Sequence, residues 1–277
     1  MLLAFGVQLA LAVPLGILDV LCERVLHRPS PELERQPLII GCINLVAIGV
    51  PIALGLHLNH LSFRRAFPFG RITFRQVVGV ALMVFGASIL LSEVDNVFRA
   101  LLPPPQWLVK VFKDVFFAQD KLLSRILLLV IIAPVTEELL FRGIILRGLL
   151  SRHRPALALV LTALLFGLLH ANPWQFLSAF ALGIVFGWFY LRAGSVGLCI
   201  LAHAIANGLS MVATFVPWNI PGMTGTPDAT VVEFQPWWLD LPGLGVLLAG
   251  VWVFCLATPP EQEALPPPIP PVSKDYP

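Results

Sequence analysis

Residues 121 to 150, KLLSRILLLVIIAPVTEELLFRGIILRGLL, form a hydrophobic run long enough to cross a bilayer, yet Glu137, Glu138 and Arg142 sit in its inner half. Ionisable groups inside a membrane span are costly, which makes each a candidate for function. Spacing explains how three coexist. On an α-helix Glu138 and Arg142 are i and i+4 and can pair, whereas Glu137 is rotated about 100° away and does not share that partner. One carboxylate is therefore spare. Pro134, one turn earlier, removes a backbone donor and bends the axis, which makes room for water.

The chain of 277 residues is 57% hydrophobic and 12% charged, with a mean hydropathy of +0.85. Such values describe an all-α polytopic membrane protein, a bundle of about eight transmembrane helices. A net charge of +2, spread over short loops, does not suggest a nucleic-acid partner. Cys22, Cys42, Cys199 and Cys255 lie in separate apolar runs without a CxxC pair, so free, buried thiols are expected.

Taken in order, the spans are expected at about 2–22, 37–57, 75–92, 121–150, 155–170, 174–191, 195–216 and 239–257. The first is read as a helix, not a cleaved signal peptide, because no basic segment precedes Leu2 and no small-x-small cleavage site follows. Between the third and fourth spans, QWLVKVFKDVFFAQD alternates apolar and charged residues at helical spacing and reads as an interfacial helix at 105–119. Four segments follow: 1–120 with three membrane helices and the interfacial helix, 121–216 as the core, 217–258 with an outer loop and the last helix, and 259–277 as a disordered proline-rich tail.

Arginines cluster in LNHLSFRRAFPFGRITFR and in SRHRP, while the loops after His170 and Val216 carry no Lys or Arg. This asymmetry places both termini in the cytoplasm, in what is expected to be a bacterial inner membrane. Counting from the cytoplasmic ends at about 1.5 Å per residue, Glu137 lies roughly 20 Å deep, His170 roughly 22 Å, His203 roughly 12 Å and Asn207 roughly 18 Å. Three spans thus bring polar residues to a similar layer.

Peptide hydrolysis needs a base for water, a proton for the leaving amine and donors for the oxyanion. Glu137 suits the base, and His170 could assist it or bind a metal. His203 and Asn207, at i and i+4, share one face and could offer two donors or two ligands. Glu137, His170 and His203 also make a possible zinc set, although HExxH is absent. The cofactor is left open between zinc and none.

Three patterns stand in order on successive spans: Glu137-Glu138-Leu-Leu-Phe-Arg142, Phe166-Gly-Leu-Leu-His170 and His203-Ala-Ile-Ala-Asn207. As EExxxR, FxxxH and HxxxN they resemble the CPBP (Abi) intramembrane proteases, which include CAAX prenyl endopeptidases and bacteriocin-processing and immunity proteins. The resemblance covers about residues 121 to 216. It implies that Glu137 is the catalytic glutamate, His170 its partner, and His203 with Asn207 the oxyanion or ligand pair, with Glu138 and Arg142 mainly structural. It leaves both metal-dependent and glutamate mechanisms open.

Plainer readings exist for each residue. Glu138 with Arg142 can be a packing device, His203 with Asn207 an interhelical clamp, His170 an interfacial residue and Phe166 packing. His57, His60 and His153 read as loop-end residues. Gly183 and Gly187, at GxxxG spacing, suggest a close contact inside the bundle. The leading expectation is an intramembrane endopeptidase, a hydrolase acting on a membrane-associated peptide or protein, lipidated or not. Its alternative is a non-catalytic membrane binding, chaperone or immunity protein, and a proton-linked transporter ranks third because no inverted repeat of broken helices is evident.

Overall fold

A computed structural model describes residues 2–24, 36–58, 60–116, 122–224 and 232–258. The proline-rich tail at 259–277, much of the loop after Val216 and the end of the expected interfacial helix lie outside them in whole or part. Among the described residues there are helices and turns and no strand.

The helices are α1 (Leu2–Arg24), α2 (Pro37–Leu58), the single turn α3 (Phe63–Ala66), α4 (Phe74–Leu101) and α5 (Gln106–Phe116). Next comes α6, which runs without a break over 122–150, then α7 (Pro155–Leu169), α8 (Pro173–Ala193), α9 (Val196–Ala213) and α10 (Trp237–Ala257). Local chemistry sets several of these boundaries. Thr73 and Gln76 close a capping box at the start of α4. Asn172 and Ser195 cap α8 and α9, and Pro155 opens α7 at its first turn. Gly194, at φ 61°, ends α8 in the left-handed conformation that glycine adopts without strain.

Each of the eight expected spans meets a helix, and five of them, α2, α4, α8, α9 and α10, are individually long and apolar enough to cross a membrane. Helix α7 is shorter at 15 residues, and the long apolar run of α6 changes helix type on the way. In none of the five does burial within the protein exceed 39% of the apolar window. Leu248, Trp252 and Leu123 are among the large apolar side chains left facing outward. This is an integral membrane protein, since hydrocarbon is the solvent that tolerates such a surface.

Helix α4 continues to Leu101, past the end of the expected membrane span at about 92 and up to the prolines at 103–105. Glu93, Asp95, Asn96 and Arg99 therefore belong to its last turns, where polar partners exist: Asp95 pairs with Arg99, and Glu93 Oε2 accepts from Asn96 Nδ2 and from Gln235 N. Pro103 to Pro105 stop the helix, as proline does when it can neither donate nor continue the turn. All four cysteines are free as expected, but only Cys199 is buried and Cys42 is exposed on the apolar surface.

Helices α4 and α10 form the most extensive pairing. Gly79 and Gly86 of one meet Gly243 and Gly250 of the other, and a Cβ on Gly86 would stand 2.5 Å from Leu247 N, one on Gly250 2.5 Å from Met83 N. Small residues let two backbones touch, the device that replaces hydrophobic exclusion where the solvent is itself apolar. Helix α8 packs on α7 in the same way, with Gly183 against Ala163 and Gly187 against Leu159, so the GxxxG spacing is an internal contact. A core of Val84, Leu146, Phe186, Tyr190, Leu198 and Phe254 joins α4, α6, α8, α9 and α10.

Candidate active site

The site is built on α6, whose backbone departs from regular α geometry twice. Residues Leu127–Ile132 and Leu139–Leu146 are π-helical, and Glu137 and Glu138 close the short α segment Ala133–Glu138 between them. Pro134 explains the first departure, because its ring crowds the preceding turn and a wider winding relieves the clash. Thr136 Oγ adds bonds to Ile132 O and Ala133 O, at 2.8 and 3.2 Å. A bend is what the sequence suggests. The structure shows a change of winding.

Glu138 and Arg142 pair as their spacing predicts, with Arg142 Nη1 3.0 Å from Glu138 Oε1 and both side chains fully buried. The same carboxylate oxygen also receives His203 Nδ1, at 2.9 Å. Arg142 Nη2 donates to Gly183 O at 2.9 Å. The guanidinium lies 5.0 Å from the Phe166 ring centre and 5.6 Å from that of Phe186. Aromatic faces thus cover a cation that would otherwise sit bare in an apolar medium.

Phe166 packs at the centre of this cluster. Its ring contacts Phe141, His170 and His203, at centroid distances of 5.0, 5.3 and 5.6 Å, and its carbonyl accepts a hydrogen bond from His170 Nδ1 at 3.0 Å. A carbonyl only accepts, so this bond puts the proton on Nδ1 and leaves Nε2 of a neutral His170 as the basic nitrogen. The turn after His170 is held tightly. Ala171 takes φ 54°, and Asn172 Nδ2 donates to His170 O at 3.0 Å and to Gln175 Oε1 at 2.6 Å.

His203 is buried and stacks on Phe186 at 5.3 Å. With Nδ1 turned to Glu138, Nε2 is the nitrogen left for other work. Asn207 Nδ2 donates to Leu129 O at 2.8 Å. Glu137 is half-buried, and its buried Oε2 has no hydrogen-bond partner among the described residues. The structure therefore joins Glu138, Arg142, His203, Phe166 and His170 in one connected cluster, with Glu137 next to Glu138 on the chain.

The possible zinc set does not assemble. Among the described residues no three His, Cys, Asp or Glu side chains lie together as a metal site, and the Nδ1 atoms of His203 and His170 face a carboxylate and a carbonyl. Two members of the cluster carried no sequence signal as site residues. Phe186 is one apolar residue among many on α8, and Gly183 is marked only as a packing glycine.

Comparison with known proteins matches this part of the chain. A family model described as type II CAAX prenyl endopeptidase Rce1-like fits residues 119–209. The protein named "Putative membrane peptidase YdiL" of Bacillus subtilis (strain 168) is 29% identical over 87 residues, 31% of this chain and 36% of that protein. An uncharacterized 24.3 kDa protein of Escherichia coli is 31% identical over 141 residues, 49% of this chain and 64% of its own length. The chain thus covers less than two thirds of either. The uncharacterized protein YyaK of B. subtilis is 32% identical over 247 residues, 84% of this chain and 78% of that protein. No solved structure matches. With the three motifs inside the matched region and a relative aligned over most of both chains, this protein belongs to the type II CAAX prenyl endopeptidase Rce1-like family.

Proposed function

We propose that this protein is an intramembrane endopeptidase of CAAX type, which hydrolyses a peptide bond in a membrane-associated substrate. The observation that carries the reading is the unequal use of two adjacent carboxylates. Glu138 receives both Arg142 and His203 on Oε1 and leaves only Oε2 unpartnered, while among the described residues no ion pair or hydrogen bond engages Glu137, whose buried Oε2 is also without a partner. A carboxylate held beside a neutralised ion pair is free to accept a proton.

In the proposed reaction Glu137 takes a proton from water as the oxygen attacks the scissile carbonyl carbon. A carbon–oxygen bond forms and the carbonyl electrons move to its oxygen. His203, fixed through Nδ1 by Glu138, directs Nε2–H to that oxyanion when the ring is doubly protonated. The carbon–nitrogen bond then breaks, and the proton held by Glu137 passes to the leaving amine with His170 Nε2 assisting. Arg142 and Glu138 keep the imidazole of His203 in place and do not touch the substrate. Basic residues at the Arg147 end of the bundle support a cytoplasmic location for that end, with the reacting layer reached from within the bilayer.

Glu137→Gln is the direct test. Comparative peptidomics of membranes carrying wild-type or variant protein should show one or more cleavage products lost, by at least about 100-fold as expected for removing a general base, with unchanged thermal unfolding. Products that persist in the variant would overturn the assignment and favour a non-catalytic binding role.

A further inference from the structure

In the π segment Leu127–Ile132 the Ala133 N–H reaches back five residues to Leu128 O. The next bond in that register would run from residue 134 to Leu129 O. Residue 134 is proline and has no N–H to give. Asn207 Nδ2 stands in its place, 2.8 Å from Leu129 O.

We infer that Asn207 is a positioning residue, whose amide supplies the hydrogen bond Pro134 cannot make and thereby holds the π-helical turn Leu127–Ile132 in register, and with it the α segment that follows and bears Glu137. The inference rests on the reading of Glu137 as the base. His203 and Asn207 lie one turn apart on α9 and grip α6 at two places, Glu138 Oε1 and Leu129 O. Glu137 lies between those grips along the chain, so its placement is set from both sides. In a bilayer the carbonyl has no water to turn to, and a helix that lost the donor would rewind to find another. Rewinding by one residue turns every later side chain about 100° around the axis, that of Glu137 among them.

This role differs from donation to an oxyanion in one testable respect: its loss can be repaired on the other helix. Pro134→Ala restores an N–H in register with Leu129 O. The experiment is a double-mutant cycle in nanodiscs, with Asn207→Ala, Pro134→Ala and the pair, read by thermal unfolding and by cleavage of a peptide found in the peptidomics. Asn207→Ala alone should lower the melting temperature by about 2–4 °C, the shift expected from one hydrogen bond in a chain of this size. It should also lower kcat about 100-fold with little change in KM, as a displaced catalytic group does. In the Pro134→Ala background both losses should shrink by more than half.

Additive melting shifts would overturn the clamp. Coupled melting shifts without recovery of kcat would overturn the positioning role and assign Asn207 to the substrate instead. If the wild type cleaves nothing, the endopeptidase reading fails, while the melting cycle still tests the bond to Leu129.

Discussion

At the scale of single residues, the division of labour between Glu137 and Glu138 depends on who reaches them. Glu138 and Arg142 are both completely buried, and such a pair is stable only while both members remain. Glu138→Ala leaves the guanidinium with Gly183 O and two aromatic faces, and it should destabilise the protein by about 3 kcal/mol or more, the usual effect of orphaning a buried charge. Chemical or thermal unfolding in detergent checks this, with Glu137→Gln as the contrast that leaves stability unchanged. The pairing with Arg142 was legible because i,i+4 is a local relation. The bond from His203 was not, since across a separation of 65 residues nothing in the sequence says which of two neighbouring carboxylates an imidazole on another helix will meet. Phe166 was undervalued for the same reason: its contacts to His170, His203 and Arg142 come from three directions.

At the scale of elements, helix contacts in this fold rest on glycine. Gly250 of α10 lies against the backbone of Met83, and a side chain there would force α4 and α10 apart. Gly245, on the same helix, has open space where a Cβ would project. Gly250→Leu should therefore lower stability by about 1–3 kcal/mol, the range for overpacking, whereas Gly245→Leu should be close to neutral. Melting temperatures of the two variants in nanodiscs provide the comparison. The apolar periodicity of α10 could not have separated these positions, because lipid-facing and protein-facing surfaces of a span are both hydrophobic. The π-helical stretches of α6 were equally hidden. Pro134 signals a disturbed turn, but whether the helix bends, breaks or widens depends on the partner that meets the freed carbonyl, here Asn207.

At the scale of the molecule, polar ties at both ends keep the bundle in register. At one end Arg147 Nη1 donates to Arg65 O and Ala66 O, at 2.6 and 2.7 Å, and Val196 N donates to Pro68 O. At the other, Ser92 and Asn96 reach Gly222 O, Glu93 receives Gln235 N, and Trp174 Nε1 donates to Leu102 O beside the His170 turn. Glu93→Ala should speed hydrogen exchange of the Gln235 amide about tenfold, the effect of losing one charge-assisted bond. Amides along α9 around His203 should exchange as before. Equal acceleration in both places would mean that this end and the layer around His203 open together.

By itself the amino-acid sequence determined the class, an all-helical membrane protein, together with the order of its helices, several caps and the identities of the polar side chains held in the apolar layer. These properties depend on composition and on relations within about one helical turn. Only the tertiary structure decided that His203 meets Glu138, that Asn207 completes the backbone beside Pro134, that Phe186 and Phe166 enclose Arg142, and that α6 widens on either side of the short segment bearing the two carboxylates. Those choices depend on which faces of distant helices touch. In hydrocarbon, where apolarity does not mark an inward face, small residues and hydrogen bonds between helices make the selection.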